Sequence, residues 1–123
     1  MDITIQIGQR WFHAELDDSA TARLIASALP LTATVNRWGQ EIYFHIPVHA
    51  APEPDARAQV RVGELGYWPD GAAFCIFFGP TPASRGDQPV AASPVNVIGR
   101  LIEPVDVAAL DAIEPGTKVT LSI

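Results

Sequence analysis

Eleven prolines, at positions 30, 47, 52, 54, 69, 80, 82, 89, 94, 104 and 115, constrain this chain of 123 residues more than any other feature. Each one fixes φ and removes a backbone N–H, so it ends a helix or sits at the edge of a strand. The intervals between them hold short elements, which excludes a long-helix bundle or a coiled coil. Hydrophobic residues make up 48% and charged residues 18%, so the short elements have enough apolar surface to share a core. A chain of this length buries roughly two-thirds of its unfolded surface, and residues 1–123 read as one domain.

Charge and cysteine usage narrow the function classes. Eight Lys and Arg stand against 14 Asp and Glu, a formal net charge of −6. An acidic surface disfavours non-specific binding to nucleic acid or to anionic membranes. Cys75 is the only cysteine, so an internal disulfide and a multi-cysteine zinc site are both excluded. The first ten residues lack the basic start and apolar run of a signal peptide, and no window reaches the length of a membrane span. These readings place the chain in the cytoplasm as an expectation.

Between the prolines the apolar period is mostly two. Ile3, Ile5 and Ile7 alternate with polar residues, and after Gly8-Gln9 so do Phe12, Ala14 and Leu16, which predicts a hairpin. A helix then follows, with Asp18 as its cap and Ala20, Leu24, Ile25, Ala28 and Leu29 as its apolar stripe. Further strands are predicted at 31–36, 41–46, 60–62, 65–68, 73–78 and 95–102, and the alternation of Val119, Leu121 and Ile123 predicts a last one. Val107, Leu110 and Ile113 suit a short helical turn. Residues 47–57 and 79–94 read as exposed loops, and Trp68-Pro69-Asp70-Gly71 as a type I turn. About eight short strands with one or two helices would leave open edges, so a closed barrel or a sandwich is expected, with the first and last strands paired.

Two segments carry candidate chemistry. Phe74, Ile76 and Phe78 point opposite to Cys75 and Phe77, so both faces of that strand are apolar. One face would fill the core and the other would lie under a loop or form a ligand groove. On the strand before it, Glu41, Tyr43 and His45 share the face opposite Ile42 and Phe44, either as a solvated strip or as a carboxylate, phenol and imidazole able to hold a polar ligand. Arg85, in the long loop, is the one cation near the apolar strand. Cys75 lies in an apolar run, where cysteine behaves as a small hydrophobe rather than a nucleophile. His45 and His49 are separated by Pro47, which prevents a helical metal-binding face. No metal site and no cofactor is expected, and no glycine-rich phosphate loop is present.

Several stretches together resemble a known family. They are Asn36-Arg37-Trp38-Gly39-Gln40-Glu41-Ile42-Tyr43-Phe44, Gly63-Glu64-Leu65-Gly66-Tyr67-Trp68-Pro69, Phe77-Phe78-Gly79-Pro80-Thr81-Pro82 and Ala92-Ser93-Pro94-Val95-Asn96-Val97-Ile98-Gly99-Arg100. The chain resembles, nearly end to end, the prokaryotic cyclophilin-like family of small stand-alone domains of unassigned function. That resemblance implies a mainly β fold: a closed eight-stranded antiparallel β-barrel with one or two short helices covering its ends. A fainter resemblance links 73–79 and 97–101 to strands of the peptidyl-prolyl isomerases, whose prolyl pocket lies on the outer barrel face. Their catalytic arginine has no counterpart here. Anchored on Pro47, Phe44 stands in its place; the histidine of the isomerase pocket is replaced near Val95, and the glycine-rich run after the arginine strand is absent. Catalysis of prolyl rotation has to overcome a barrier of about 18–20 kcal/mol, so the isomerase reading lacks its main electrostatic source.

The resulting expectation is a cyclophilin-like domain that binds a small molecule or short peptide in an outer-face groove. Trp38, Tyr43, Phe44, Tyr67, Trp68, Phe74 and Phe78 would supply apolar walls. Glu41, Thr81 and Asn96 would orient the ligand, with Ser93 beside them. The alternatives are a weak prolyl isomerase or another enzyme using the same groove, and a structural or protein-interaction domain that self-associates through Trp11 and Trp68.

Overall fold

The alternating isoleucines at the N-terminus form strand β1 (Asp2–Ile7), and β2 (Arg10–Leu16) folds back on it with Ile7 opposite Arg10. Gly8, at φ 60°, supplies the left-handed residue of this two-residue turn. A computed structural model describes all residues, 1–123. Helix α1 (Ala20–Ala28) follows, then β3 (Leu31–Thr34), β4 (Asn36–Arg37), β5 (Glu41–His45), β6 (Arg57–Gln59) and β7 (Glu64–Trp68). A single 3-10 turn over Pro69–Gly71 leads into β8 (Ala73–Phe77). The chain ends with β9 (Val90–Leu101), the short helix α2 (Val107–Asp111) and β10 (Lys118–Ser122).

All strand pairs are antiparallel, in the order β3-β10-β1-β2-β9-β7-β8-β5-β4, with β6 attached to β9. The first and last strands pair, with Thr4 opposite Ser122 and Ile7 opposite Val119. The expected closed eight-stranded barrel is corrected in one respect: the sheet has ten strands and its hydrogen-bonded ladder is open. Its two ends, β3 and β4, are successive parts of one run of chain, joined at Val35. One part pairs with β10 and the other with β5, so backbone continuity rather than a ladder links the two ends.

The inward faces of the strands build one large core that includes Ile3, Ile5, Leu16, Ile42, Phe44, Leu65, Tyr67, Phe74, Ile76, Phe78, Ile98 and Leu121. Phe44 and Phe74 stack across the β5–β8 pair at 5.1 Å. Helix α1 covers part of this core, but on a different stripe from the expected one. Its N-cap is Ser19, whose hydroxyl accepts from the Ala22 amide, and Asp18 is not the cap. Thr21, Ala22 and Ile25 are the buried residues, while Leu24 is 48% exposed. Thr21 belongs to the inward stripe, where its hydroxyl donates to Glu53 and accepts from the buried Asn96.

The loops also differ from expectation. The strand predicted at 60–62 lies earlier, at 57–59. The loop predicted to run to Pro94 stops at Pro89, and Val90–Pro94 belong to β9. Pro94 cannot donate to a ladder, and the β6–β9 register slips beside it, with Arg57 opposite Val95 but Gln59 opposite Val90. This irregular half of β9 contributes Ala91 and Val95 to a second apolar layer on the outer face of β8.

Candidate functional site

Every residue of β8 is buried. Its inward side chains, with neighbouring Phe78, belong to the main core. Its outward ones, Ala73, Cys75 and Phe77, form a smaller cluster with Val60, Ala91 and Val95. The outer face of β8 is thus covered by protein along its length. The open space lies beside it, over β5, where alternation brings Glu41 and Tyr43 to the same outer face.

There, Trp38, Glu41, Tyr43, Trp68, Ala91, Ala92 and Val95 surround a cavity of about 140 Å³. Trp38 enters from the β4–β5 turn, where its amide donates to the Glu41 carbonyl and the Glu41 amide donates back. Trp68 ends β7 and is fixed by a relay: its Nε1 donates to Ser93 Oγ at 2.6 Å, and Ser93 Oγ donates to Asp70 Oδ2 at 2.9 Å. Gly71 makes room for the indole, because a Cβ there would lie 2.5 Å from its Cε3 and Cζ3. Tyr43 meets His45 edge to face, at 6.0 Å and 88°.

Glu41 is the polar group of this lining. It is 7% exposed, and burial raises its carboxyl from 4.5 to about 7, opposed only in part by the neighbouring Cys75 thiol. Cys75 sits opposite Tyr43 in the β5–β8 register. Burial pushes its thiol well above the ordinary range, and the adjacent Glu41 carboxylate pushes it further. A neutral thiol is a poor nucleophile, so the pair offers a carboxyl that can gain or lose a proton near neutrality, not a reactive cysteine.

The structure brings together four of the predicted site residues, Trp38, Glu41, Tyr43 and Trp68, with Ser93 in support. The others are placed elsewhere. Phe44, Phe74 and Phe78 face the main core: β5 and β8 turn Phe44 and Phe74 inward, and Phe78 follows directly after β8 on the same side. Tyr67 is also in the core, and its hydroxyl bridges the Val48 carbonyl and the Ala50 amide. Thr81 Oγ1 donates to the Val90 carbonyl and closes the 81–90 loop. Asn96 is 1% exposed and holds the 50–53 segment against α1. Arg85 lies in a separate cleft with Arg57 and Arg61. No three His, Cys, Asp or Glu side chains converge as metal ligands.

Sequence reasoning missed Ala91, Ala92 and Val95. Their small side chains leave the cavity space; the flanking prolines put Ala91 and Ala92 in a predicted loop, and Val95 opens a predicted strand with no sign of which face it serves. The available signal was the contrast between a run of small residues and the apolar strand before it.

The family model described as Cyclophilin-like matches residues 1–122. The solution structure of the hypothetical protein AF2241 from Archaeoglobus fulgidus has a TM-score of 0.82 and 36% identity, covering 99% of this chain and 93% of that one. The structure of McbB in complex with tryptophan has a TM-score of 0.72 at 16% identity, covering 98% of this chain and 44% of that one. At that identity the likeness is one of fold alone. No curated protein matches the sequence. No helix is long and apolar enough to cross a membrane. With a match over almost its whole length and a similar fold in a relative 36% identical to it, the chain belongs to the cyclophilin-like family.

Proposed function

We propose that this protein is a binding module that takes a small molecule, or one side chain of a short peptide, in the outer-face pocket beside Glu41. The observation that carries this reading is an apolar pocket with a single buried carboxyl in its lining. A few polar groups in an otherwise apolar concavity are what orient a ligand and make its binding selective. The volume, about 140 Å³, matches one ring or head group rather than a drug-sized molecule. Tryptophan, the molecule bound in the McbB structure, is therefore a natural member of a first ligand panel.

The isomerase reading gains less support. No guanidinium lines this pocket. Arg37 is committed to Asp111 and to the carbonyls of Gly39, Asp111 and Ile113, and lies over the Phe78 ring. Trp11 and Trp68, the pair considered for self-association, line different clefts.

A fragment titration followed by NMR tests the proposal. Binding in this pocket shifts the indole N–H signals of Trp38 and Trp68 and leaves that of Trp11 in place. A panel of aromatic and aliphatic amines, alcohols and acids that moves neither indole at millimolar concentration would refute it.

A further inference from the structure

The lining of the Glu41 pocket selects among ligand chemistries, and the inference drawn from it rests on the binding role proposed above. Three of the seven lining residues are aromatic: Trp38, Tyr43 and Trp68. Three more, Ala91, Ala92 and Val95, are small and apolar, and the seventh is Glu41. Aromatic faces carry negative charge density and attract cations, most strongly in tryptophan. A carboxylate adds a full negative charge, and no Lys, Arg or His in the lining opposes it. An anion would meet repulsion from Glu41 and the aromatic faces and no attraction from the rest of the lining.

The apolar walls discriminate further. A bare ammonium group holds its water tightly, and a lining with one carboxyl cannot replace that hydration shell. Methyl groups on the nitrogen spread the charge and give the walls an apolar surface to contact. A cavity of about 140 Å³ is similar in size to cavities that hold benzene, which suits one such head group. The Trp68 relay adds to this. An indole N–H bonded to a hydroxyl that itself donates to the Asp70 carboxylate leaves its ring richer in electrons. The net charge of −6 draws cations toward the protein from a distance.

We propose that the pocket is an aromatic cage for a methylated ammonium group, with Trp38, Tyr43 and Trp68 as walls and the Glu41 carboxylate as counter-ion. The head group would belong either to a free quaternary amine or to a methylated lysine in a peptide.

A pH signature follows. The titratable groups on the Glu41 side are Cys75 from β8, kept neutral by burial, and Tyr43 and, beyond it on the same face, His45 from its own strand; the lining residues of the β4–β5 turn, β7 and β9 carry none. A cation favours ionised Glu41, whose carboxyl burial has raised to about 7. Affinity for the cation therefore rises with pH, by about tenfold between about pH 6 and about pH 8.

The test titrates the full chain with choline, with its neutral tert-butyl isostere dimethylbutanol, and with a pentapeptide containing trimethyllysine. Choline is expected to shift the Trp38 and Trp68 indole signals, to bind at least about fivefold tighter than the isostere at about pH 8, and to lose that advantage on acidification. A peptide that binds tighter than choline identifies a lysine side chain as the source; the reverse order identifies a free amine. Glu41→Gln is expected to keep isostere binding and lose the pH-dependent gain. If the isostere matches choline at the higher pH, the cage is refuted while the pocket stands. If other fragments shift the indoles and no methylated ammonium does, the cage is again refuted. If nothing binds, the pocket reading fails with it.

Discussion

Glu41 and Cys75 are diagonal neighbours across the β5–β8 pair, Glu41 opposite Phe77 and Cys75 opposite Tyr43, and burial favours the neutral form of each side chain. Neither has a cationic partner: the two ion pairs of the chain are Arg37–Asp111 and Arg57–Glu64. A carboxyl buried in this way makes the folded state hold a proton that the unfolded chain releases.

That relationship fixes the sign of a pH dependence. The folded carboxyl titrates at about 7 and the unfolded one at 4.5, so the folded state binds the proton more tightly. The contribution of Glu41 to stability is fully present below 4.5 and is lost as pH rises through about 7. The loss amounts to at most about 3 kcal/mol. Urea unfolding at about pH 5 and about pH 8 measures it. Glu41→Gln is expected to flatten this part of the profile and to be the more stable form at the higher pH.

Cys75 provides a separate readout. It is the only cysteine of the chain and is 1% exposed. A buried neutral thiol does not react with alkylating reagents until it is exposed. Iodoacetamide labelling is expected to be absent from the native protein and to follow unfolding, with a rate that rises with urea. Rapid stoichiometric labelling under native conditions would place the thiol at an accessible surface instead.

The elements that alternate cleanly were legible in the sequence, and those whose fate depends on a partner were not. The β1–β2 hairpin and the pairing of β1 with β10 follow from isoleucines, valine and leucine at every second position. The outward strip of Glu41 and Tyr43 was legible for the same reason. Alternation could not say which face of β8 is outermost, since all five of its residues are apolar and buried. The apolar run alone therefore points to Phe74 and Phe78 as groove residues, whereas the outer face carries Cys75 and Phe77. Thr81 and Asn96 looked like ligand-orienting groups because they are polar beside apolar strands. Their hydrogen bonds go instead to loop backbone and to Thr21, partners that only the tertiary fold supplies.

Asn96 illustrates what that tertiary role is worth. Its Nδ2 donates to Thr21 Oγ1 and to the Ala51 carbonyl, each at 3.0 Å, and its Oδ1 accepts from the Glu53 amide at 2.8 Å. Thr21 Oγ1 in turn donates to Glu53 Oε2, so one side chain ties α1, β9 and the 50–53 segment together. Asn96→Ala strands buried polar groups and is expected to destabilise the fold by about 2–4 kcal/mol. Hydrogen exchange distinguishes this from a general loss of packing: the Glu53 amide loses protection first, ahead of the β1 and β10 amides.

Trp68 depends on the backbone beneath it, at two adjacent positions with opposite expectations. At Gly71 a Cβ would fall 2.5 Å from the indole, so Gly71→Ala forces the ring or the 3-10 turn to move. The expected penalty is about 1–3 kcal/mol, together with a shifted Trp68 indole signal. The following residue, Ala72, adopts φ 47° and ψ 52°, a left-handed conformation in which its Cβ crowds the backbone. Glycine removes a strain of about 1–2 kcal/mol there and returns about 0.5–1 kcal/mol as added freedom of the unfolded chain. Ala72 also packs partly against the main core, so loss of its methyl offsets part of the gain, and Ala72→Gly is expected to stabilise the protein by no more than about 0.5 kcal/mol. The turn keeps its shape because the Ala72 carbonyl still accepts from the Ile46 amide at 2.9 Å. Paired urea melts of the two variants check both signs. A destabilised Ala72→Gly would mean that the left-handed residue is not strained, and an unperturbed Gly71→Ala would mean that the indole is free to leave its position over the turn.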